Sequence, residues 1–384
     1  MAFEQLIAEV KEIAAHPRYT EIRKNKDGFK LIVGLGRTVL HNFSDFTFQD
    51  FFSDPKVCLQ SQLQWKKLWH NEIQDDTLIV PGVGVEYGVV LEPSLFGTHW
   101  SITETTDPWY GDPVVQEKAD LERLKIPDFY RSGLMPKVHQ MYQQMGELVK
   151  GEIPIYFPGW ARGPWSMACM LRGFTPLYLD IMDDPDFVHR LMNFIVESRI
   201  RWETDRCKFL GISPKDVNYR WKYCVYRDPT SSDLYNDEVD GNLFSLKTYQ
   251  EFILPYELRL AEFYGGVDYY HSCGNLTPFL NDILDLPGLN MFHVSPHTDL
   301  EKVCRLRKPK TTLQVSLNPV NDIIHANSIE MKEKVQEILT KTQGNNTQIW
   351  ADALYEGSDD TLAKVITWVK IAREVYQEFH IKNY

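Results

Sequence analysis

From residue 150 onward, short apolar runs alternate with stretches of helical period. Ile-Pro-Ile-Tyr-Phe-Pro-Gly-Trp over 153–160 reads as a buried strand ending in a turn. Asp184-Pro185 is a helix start, with Asp as N-cap and Pro at the first helical position. That helix runs through Val188, Leu191, Phe194, Ile195 and Ile200 and stops near Gly211. Residues 216–223 read as a second strand, followed by a long loop over 227–242 rich in Asp, Ser and Pro. A helix over 246–264 leads into a strand ending at His271. Three further pairs follow: helix 276–286 with strand 290–295, helix 299–306 with strand 311–316, and helix 328–342 with strand 347–353. A long helix over 359–379 closes the pattern.

At least six strand–helix units in succession point to a parallel sheet covered by helices. The stretch 76–90 and the helix before Gly151 bring eight within reach. The expectation is a (β/α)8 TIM barrel over 76–384, with an N-terminal helical extension over 1–75 packed on it. A doubly wound open sheet is the alternative. Gly34-Leu-Gly36-Arg37 and Gly82-Val-Gly84 read as turns, since neither has the spacing of a phosphate-binding loop.

Charge and cysteine usage narrow the function classes. A net charge of −12 argues against a nucleic-acid-binding surface, which would be basic. No uncharged apolar run reaches spanning length, and the amphipathic start carries charges where a signal peptide would be apolar. Six scattered cysteines in a chain this long read as reduced thiols, hence a cytoplasmic enzyme acting on a small molecule.

In a barrel, reactive side chains sit at the C-terminal ends of strands. That rule selects Trp160 and Arg162, Arg220 and Trp221, His271 and Cys273, His293 and His297, Asn318, and Asp352. His271 and Cys273 stand two apart on a predicted strand, so both project to one face. Zinc favours both as ligands, and a catalytic zinc needs three protein ligands and one open position. His293, His297, Asp352 and Glu356 are the candidates for the third. The plain alternative is a packed thiol beside a hydrogen-bonded histidine. Asn236-Asp237-Glu238 is either a solvated acidic turn or a source of carboxylate over the mouth, where Asp237 would donate a proton or orient a ligand. Arg162 and Arg220 would clamp an anionic substrate or form salt bridges. Asn318 is a further polar candidate. Trp160, Trp221 and Asn275 would face a large, flat cofactor.

Several segments together resemble a known group. They are Gly163-Pro-Trp165-Ser-Met-Ala-Cys-Met-Leu-Arg-Gly173, Asp183-Asp-Pro185, Pro255-Tyr256 and His271-Ser-Cys273-Gly-Asn275. They resemble the uroporphyrinogen decarboxylase superfamily over roughly residues 75–380, and the (β/α)8 barrel is that family's fold. The chain departs from true uroporphyrinogen decarboxylases. It lacks their Met-Arg-Gln-Ala-Gly-Arg segment, and 80–84 carries no acid where they place an aspartate. Met170 stands where a tyrosine is expected, and 355–357 where a histidine is expected. His-x-Cys-Gly-Asn is closer to the methylcobamide:coenzyme M methyltransferases, in which His271 and Cys273 would be zinc ligands. Their third ligand is a cysteine in a Gly-Cys-Gly segment; here that region is Trp350-Ala-Asp352-Ala-Leu.

The resemblance implies a corrinoid-linked, zinc-dependent methyltransferase, working with a corrinoid as substrate or carrier and with a corrinoid protein as partner. A homodimer is the expected assembly. The alternatives are a metal-free decarboxylase or lyase acting on a carboxylated or tetrapyrrole substrate, and a non-catalytic corrinoid- or tetrapyrrole-binding protein.

Overall fold

The computed structural model describes residues 3–24, 28–43, 46–215, 235–238, 244–344, 346–354 and 359–383. Eight parallel strands make the expected (β/α)8 barrel: β1 (Lys30–Leu35), β2 (Val83–Gly84), β3 (Ile155–Tyr156), β4 (Tyr235–Asp237), β5 (Tyr269–His271), β6 (Met291–Val294), β7 (Thr312–Ser316) and β8 (Thr347–Leu354). Six of them form one arc in the order β4-β5-β6-β7-β8-β1, and β2 pairs with β3. All of these pairings are parallel. A short antiparallel ribbon, Trp100–Ser101 with Trp109–Tyr110, lies outside the barrel. No helix among the described residues is long and apolar enough to cross a membrane.

The helical extension expected over 1–75 contains a barrel strand. β1 pairs with β8 through Ile32↔Trp350 and Val33↔Ala351, so a boundary at residue 75 would cut the sheet. All six residues of β1 are buried, which leaves no apolar–polar alternation to read. Its other edge is held by two acidic side chains. Asp75 Oδ2 accepts from Val33 N at 2.7 Å, and Asp76 Oδ2 accepts from Leu31 N at 2.9 Å. Gly34-Leu-Gly36-Arg37 is therefore the end of a strand running into the Arg37–His41 helix, and Val83–Gly84 is β2; neither is a simple turn.

Other expectations also need adjustment. The loop over 227–242 contains β4, which pairs with β5 through Asp237↔His271. The strand expected over 216–223, with Arg220 and Trp221, lies outside the described residues, as does Glu356. The helix expected over 246–264 is two, Leu246–Phe252 and Leu254–Tyr264. Pro255 at the start of the second explains the break, because it has no N–H to give to the preceding turn.

The Pro185–Leu210 helix matches its sequence signals. Asp184 caps it by accepting from Phe187 N at 3.1 Å, and Gly211 ends it at φ +67°. Two turns apart on its inner face, Arg199 and Arg206 are each 1% exposed. Arg199 donates to the carbonyls of Arg162 (2.7 Å) and Trp160 (2.8 Å), and Arg206 to that of Pro158 (2.7 Å). Prolines at 154 and 158 cannot donate to a ladder, so β3 stays short and the guanidinium groups satisfy the irregular backbone beyond it.

Candidate metal centre

Alternation along the strands turns His271 of β5, His293 of β6 and Asp352 of β8 toward the barrel interior at its C-terminal mouth. Each offers one ligand atom, and these atoms lie within 4.8 Å of one another. Ligands of a tetrahedral zinc stand about 3.4 Å apart, so small side-chain rotations would bring all three onto one ion. The two imidazoles are neighbours, with ring centroids 4.2 Å apart. His293 is 1% exposed, and its Nδ1 lies 2.9 Å from the carbonyl oxygen of Ser272. A carbonyl can only accept, so Nδ1 carries the proton and Nε2 keeps its lone pair for a metal.

Trp350, two residues before Asp352, forms the floor of the site. Its ring lies 5.5 Å from His293 at 82° and 6.3 Å from His271 at 63°. Its buried Nε1 has no hydrogen-bond acceptor among the described residues. An unmade hydrogen bond of this kind costs about 1–3 kcal/mol. A Cβ on Gly34 would stand 2.7 Å from that nitrogen and 3.4 Å from Asp352 Oδ1. The bare glycine at the end of β1 is what lets the indole lie there.

Cys273 is exposed, just past β5, with Sγ 3.8 Å from His271 Nε2. It falls outside the group formed by His271, His293 and Asp352. His297 is exposed on the turn after β6, where it lines an outer groove with Asp299, Glu301 and Lys341. It too is outside the group. The residues fit a metal through a two-imidazole, one-carboxylate set in place of a thiolate pair.

The remaining sequence candidates divide. Trp160 is 2% exposed and packs on Phe96 and Trp202, with its indole N–H on the Arg162 carbonyl, so it belongs to the core and not to a cofactor face. Asn318 spends its side chain capping: Oδ1 accepts from Val320 N and Asn321 N at 3.1 and 2.9 Å. Asn275 likewise accepts from Thr277 N at 3.0 Å. Arg162 is half-buried in the segment between β3 and the Pro164–Arg172 helix, where its positive charge partly offsets the upward push of burial on the Tyr110 hydroxyl. Asp237 is placed by its backbone only, directly beside His271. Arg220 and Trp221 are not described.

The acidic run around Asp237 is not a solvated turn, since Asn236 and Glu238 on either side are 1% and 6% exposed. Glu238 caps the Pro164–Arg172 helix from a distance, accepting from Trp165 N at 3.2 Å and Ser166 N at 2.8 Å. The helix's own N-cap residue is Gly163, which has no side chain to do this. Asn236 donates to Glu257 at 2.8 Å, and Tyr249 donates to the same carboxyl at 2.6 Å. Burial pushes Glu257 from its ordinary 4.5 up to about 7, and holds the Tyr249 and Tyr270 hydroxyls well above their usual range. Sequence reasoning missed this network, because Glu257 on a helix reads as an ordinary surface acid.

Gly163 makes the capping arrangement testable. A Cβ there would stand 2.3 Å from Glu238 Cδ and Oε1. Gly163→Ala is expected to displace the buried carboxylate and cost about 1–3 kcal/mol of stability. A urea midpoint equal to that of the parent protein would rule this out.

A family model described as uroporphyrinogen decarboxylase (URO-D) matches residues 40–202 and 234–351. The chain belongs to that family. The match begins after β1 and stops one residue short of Asp352, so β1 and one member of the URO-D chain's candidate metal set lie beyond it. Among solved structures, a methyltransferase from Methanosarcina mazei superposes with a TM-score of 0.64 at 16% identity, over 92% of this chain and 95% of that one. That likeness supports the barrel fold. A B12-independent methionine synthase from a Shewanella species reaches a TM-score of 0.38 at 12% identity, over 66% and 69% of the two chains, too low to bear on the fold. No curated protein matches this chain.

Proposed function

We propose that this URO-D family protein is a zinc-dependent methyltransferase of the corrinoid-linked type. The observation that carries the proposal is the convergence of His271, His293 and Asp352 at the barrel mouth. Three protein ligands with room for a fourth group are the arrangement of a catalytic site. Zinc held by these three side chains would supply positive charge that favours the thiolate form of a thiol acceptor, the nucleophile that methyl transfer from a corrinoid needs.

The chain's own residues do the rest. Ser272 O holds His293 in the tautomer that presents Nε2. The Trp350 ring walls the two imidazoles on one side, which restricts their rotation. Asp237, whose backbone pairs with that of His271, is the proposed acid or orienting group, and Arg162 the proposed anchor for an anionic group on the substrate. The described cysteines are all free thiols, which suits a reducing compartment and hence the cytoplasm. A corrinoid protein is the proposed methyl carrier.

Elemental analysis of purified protein is expected to find about one zinc per chain, lost in His271→Ala. A metal-free protein with an intact fold would end this reading. Titration with cobalamin is expected to perturb the corrinoid spectrum, whereas a porphyrin that binds more tightly would favour the decarboxylase alternative.

A further inference from the structure

We infer that the indole N–H of Trp350 positions the exchangeable group at the metal, donating a hydrogen bond to whatever shares the ion with His271, His293 and Asp352. The inference rests on the metal reading above and adds a residue to it. Gln348, Trp350 and Asp352 occupy alternate positions of β8, so all three face into the barrel. The Trp350 ring is steeply inclined to both imidazoles, at 82° to His293 and 63° to His271, and lies next to them. Its N–H is buried, and no described residue accepts from it.

Gly34 marks where the indole nitrogen lies relative to Asp352. The position a Cβ would take there is 2.7 Å from Trp350 Nε1 and 3.4 Å from Asp352 Oδ1. A hydrogen-bond donor and a candidate metal ligand thus converge on one spot at the end of β1. A buried donor without an acceptor calls for an explanation, and beside a candidate metal ligand an incoming group is one. None of the described side chains accepts from it, and a group entering the mouth would bring an acceptor. An anionic acceptor, such as a thiolate or azide, gains most from the bond, because charge-assisted hydrogen bonds are roughly twice as strong as neutral ones.

The test uses cobalt(II)-loaded full-length protein titrated with azide and followed by visible absorption. Trp350→Phe, once loaded with cobalt, is expected to bind azide about tenfold more weakly than the loaded parent. A second variant with benzothienylalanine at position 350 keeps the bicyclic shape and lacks the N–H, so it decides the matter if the phenylalanine variant misfolds. It is expected to show the same loss. Parent-like azide affinity in the folded variants overturns the inference and leaves the metal reading standing. Weakened cobalt uptake with unchanged azide affinity also overturns it, since that pattern marks Trp350 as a support for Asp352 alone. A parent protein that takes up no cobalt overturns both.

Discussion

His293→Ala is expected to weaken zinc binding about a hundredfold or more and to abolish methyl transfer. A structural zinc with four ligands is held by about 10–16 kcal/mol, so each ligand is worth roughly 3 kcal/mol. His293 is the most buried of the three candidates, and the Ser272 carbonyl has already selected the tautomer of its neutral ring. Removing the ring therefore takes away a preorganised donor and also leaves that carbonyl without its partner, which costs the apo protein about 1–3 kcal/mol. Competition with a chromogenic chelator measures the metal term, and urea unfolding of the metal-free protein measures the other. His297→Ala is the control, since that side chain is exposed outside the group, and its zinc affinity is expected to match the parent's. Should His293→Ala keep parent-like affinity, His293 leaves the ligand set, and Cys273, 3.8 Å from His271 Nε2, becomes the next candidate.

Glu257→Gln is expected to stabilise the protein above pH 7 and to flatten its loss of stability between mildly acid and alkaline pH. Burial raises the folded-state pKa of Glu257 from 4.5 to about 7. A raised pKa means that the group's contribution is fully present below pH 4.5 and is lost as pH rises through 7. At roughly 1.4 kcal/mol per pH unit, ionising it in place costs about 3 kcal/mol by pH 8. Asp75, also raised by burial, to about 6, acts with the same sign over a lower window and stays in the variant. Glutamine keeps the acceptor for Asn236 Nδ2, and the Tyr249 hydroxyl can turn to accept from the new amide. Denaturation midpoints at pH 5.5 and pH 8 give the comparison. A variant with the parent's pH slope would place the buried charge elsewhere.

Much of the fold was readable from pattern. The cap at Asp184, the stop at Gly211 and the strands ending at His271, Val294 and Ser316 all follow from local signals that tertiary packing reinforces. β1 escaped, and β2, inside the stretch 76–90 counted toward the eight, was read at Gly82-Val-Gly84 as a turn, for one reason. Both are buried throughout, and a short, wholly buried strand has no period to detect. The helix break at Ile253 was carried by Pro255, a signal that was present and not used.

The site was legible in location and open in composition. Position at a strand end was enough to select His271, His293 and Asp352 together with His297, Asn318 and Trp160. Nothing local separates the first three from the others. His297 lies past the end of β6, where alternation no longer says which way a side chain points. Asn318 is diverted by the backbone N–H groups of the turn it begins, and Trp160 by the long helix packed over it.

By itself the sequence determined the parallel strand–helix rhythm and a mouth rich in metal-capable side chains, because those depend on spacing along one chain. Tertiary structure alone decided which of those side chains meet. His271, His293 and Asp352 come from three strands separated by up to 81 positions, and their convergence depends on the parallel register of β5, β6, β7 and β8. A shift of one residue in any of these pairings would turn a ligand to the opposite face of the sheet. That register is set by long-range hydrogen bonds and by the packing around the barrel, which no local pattern encodes.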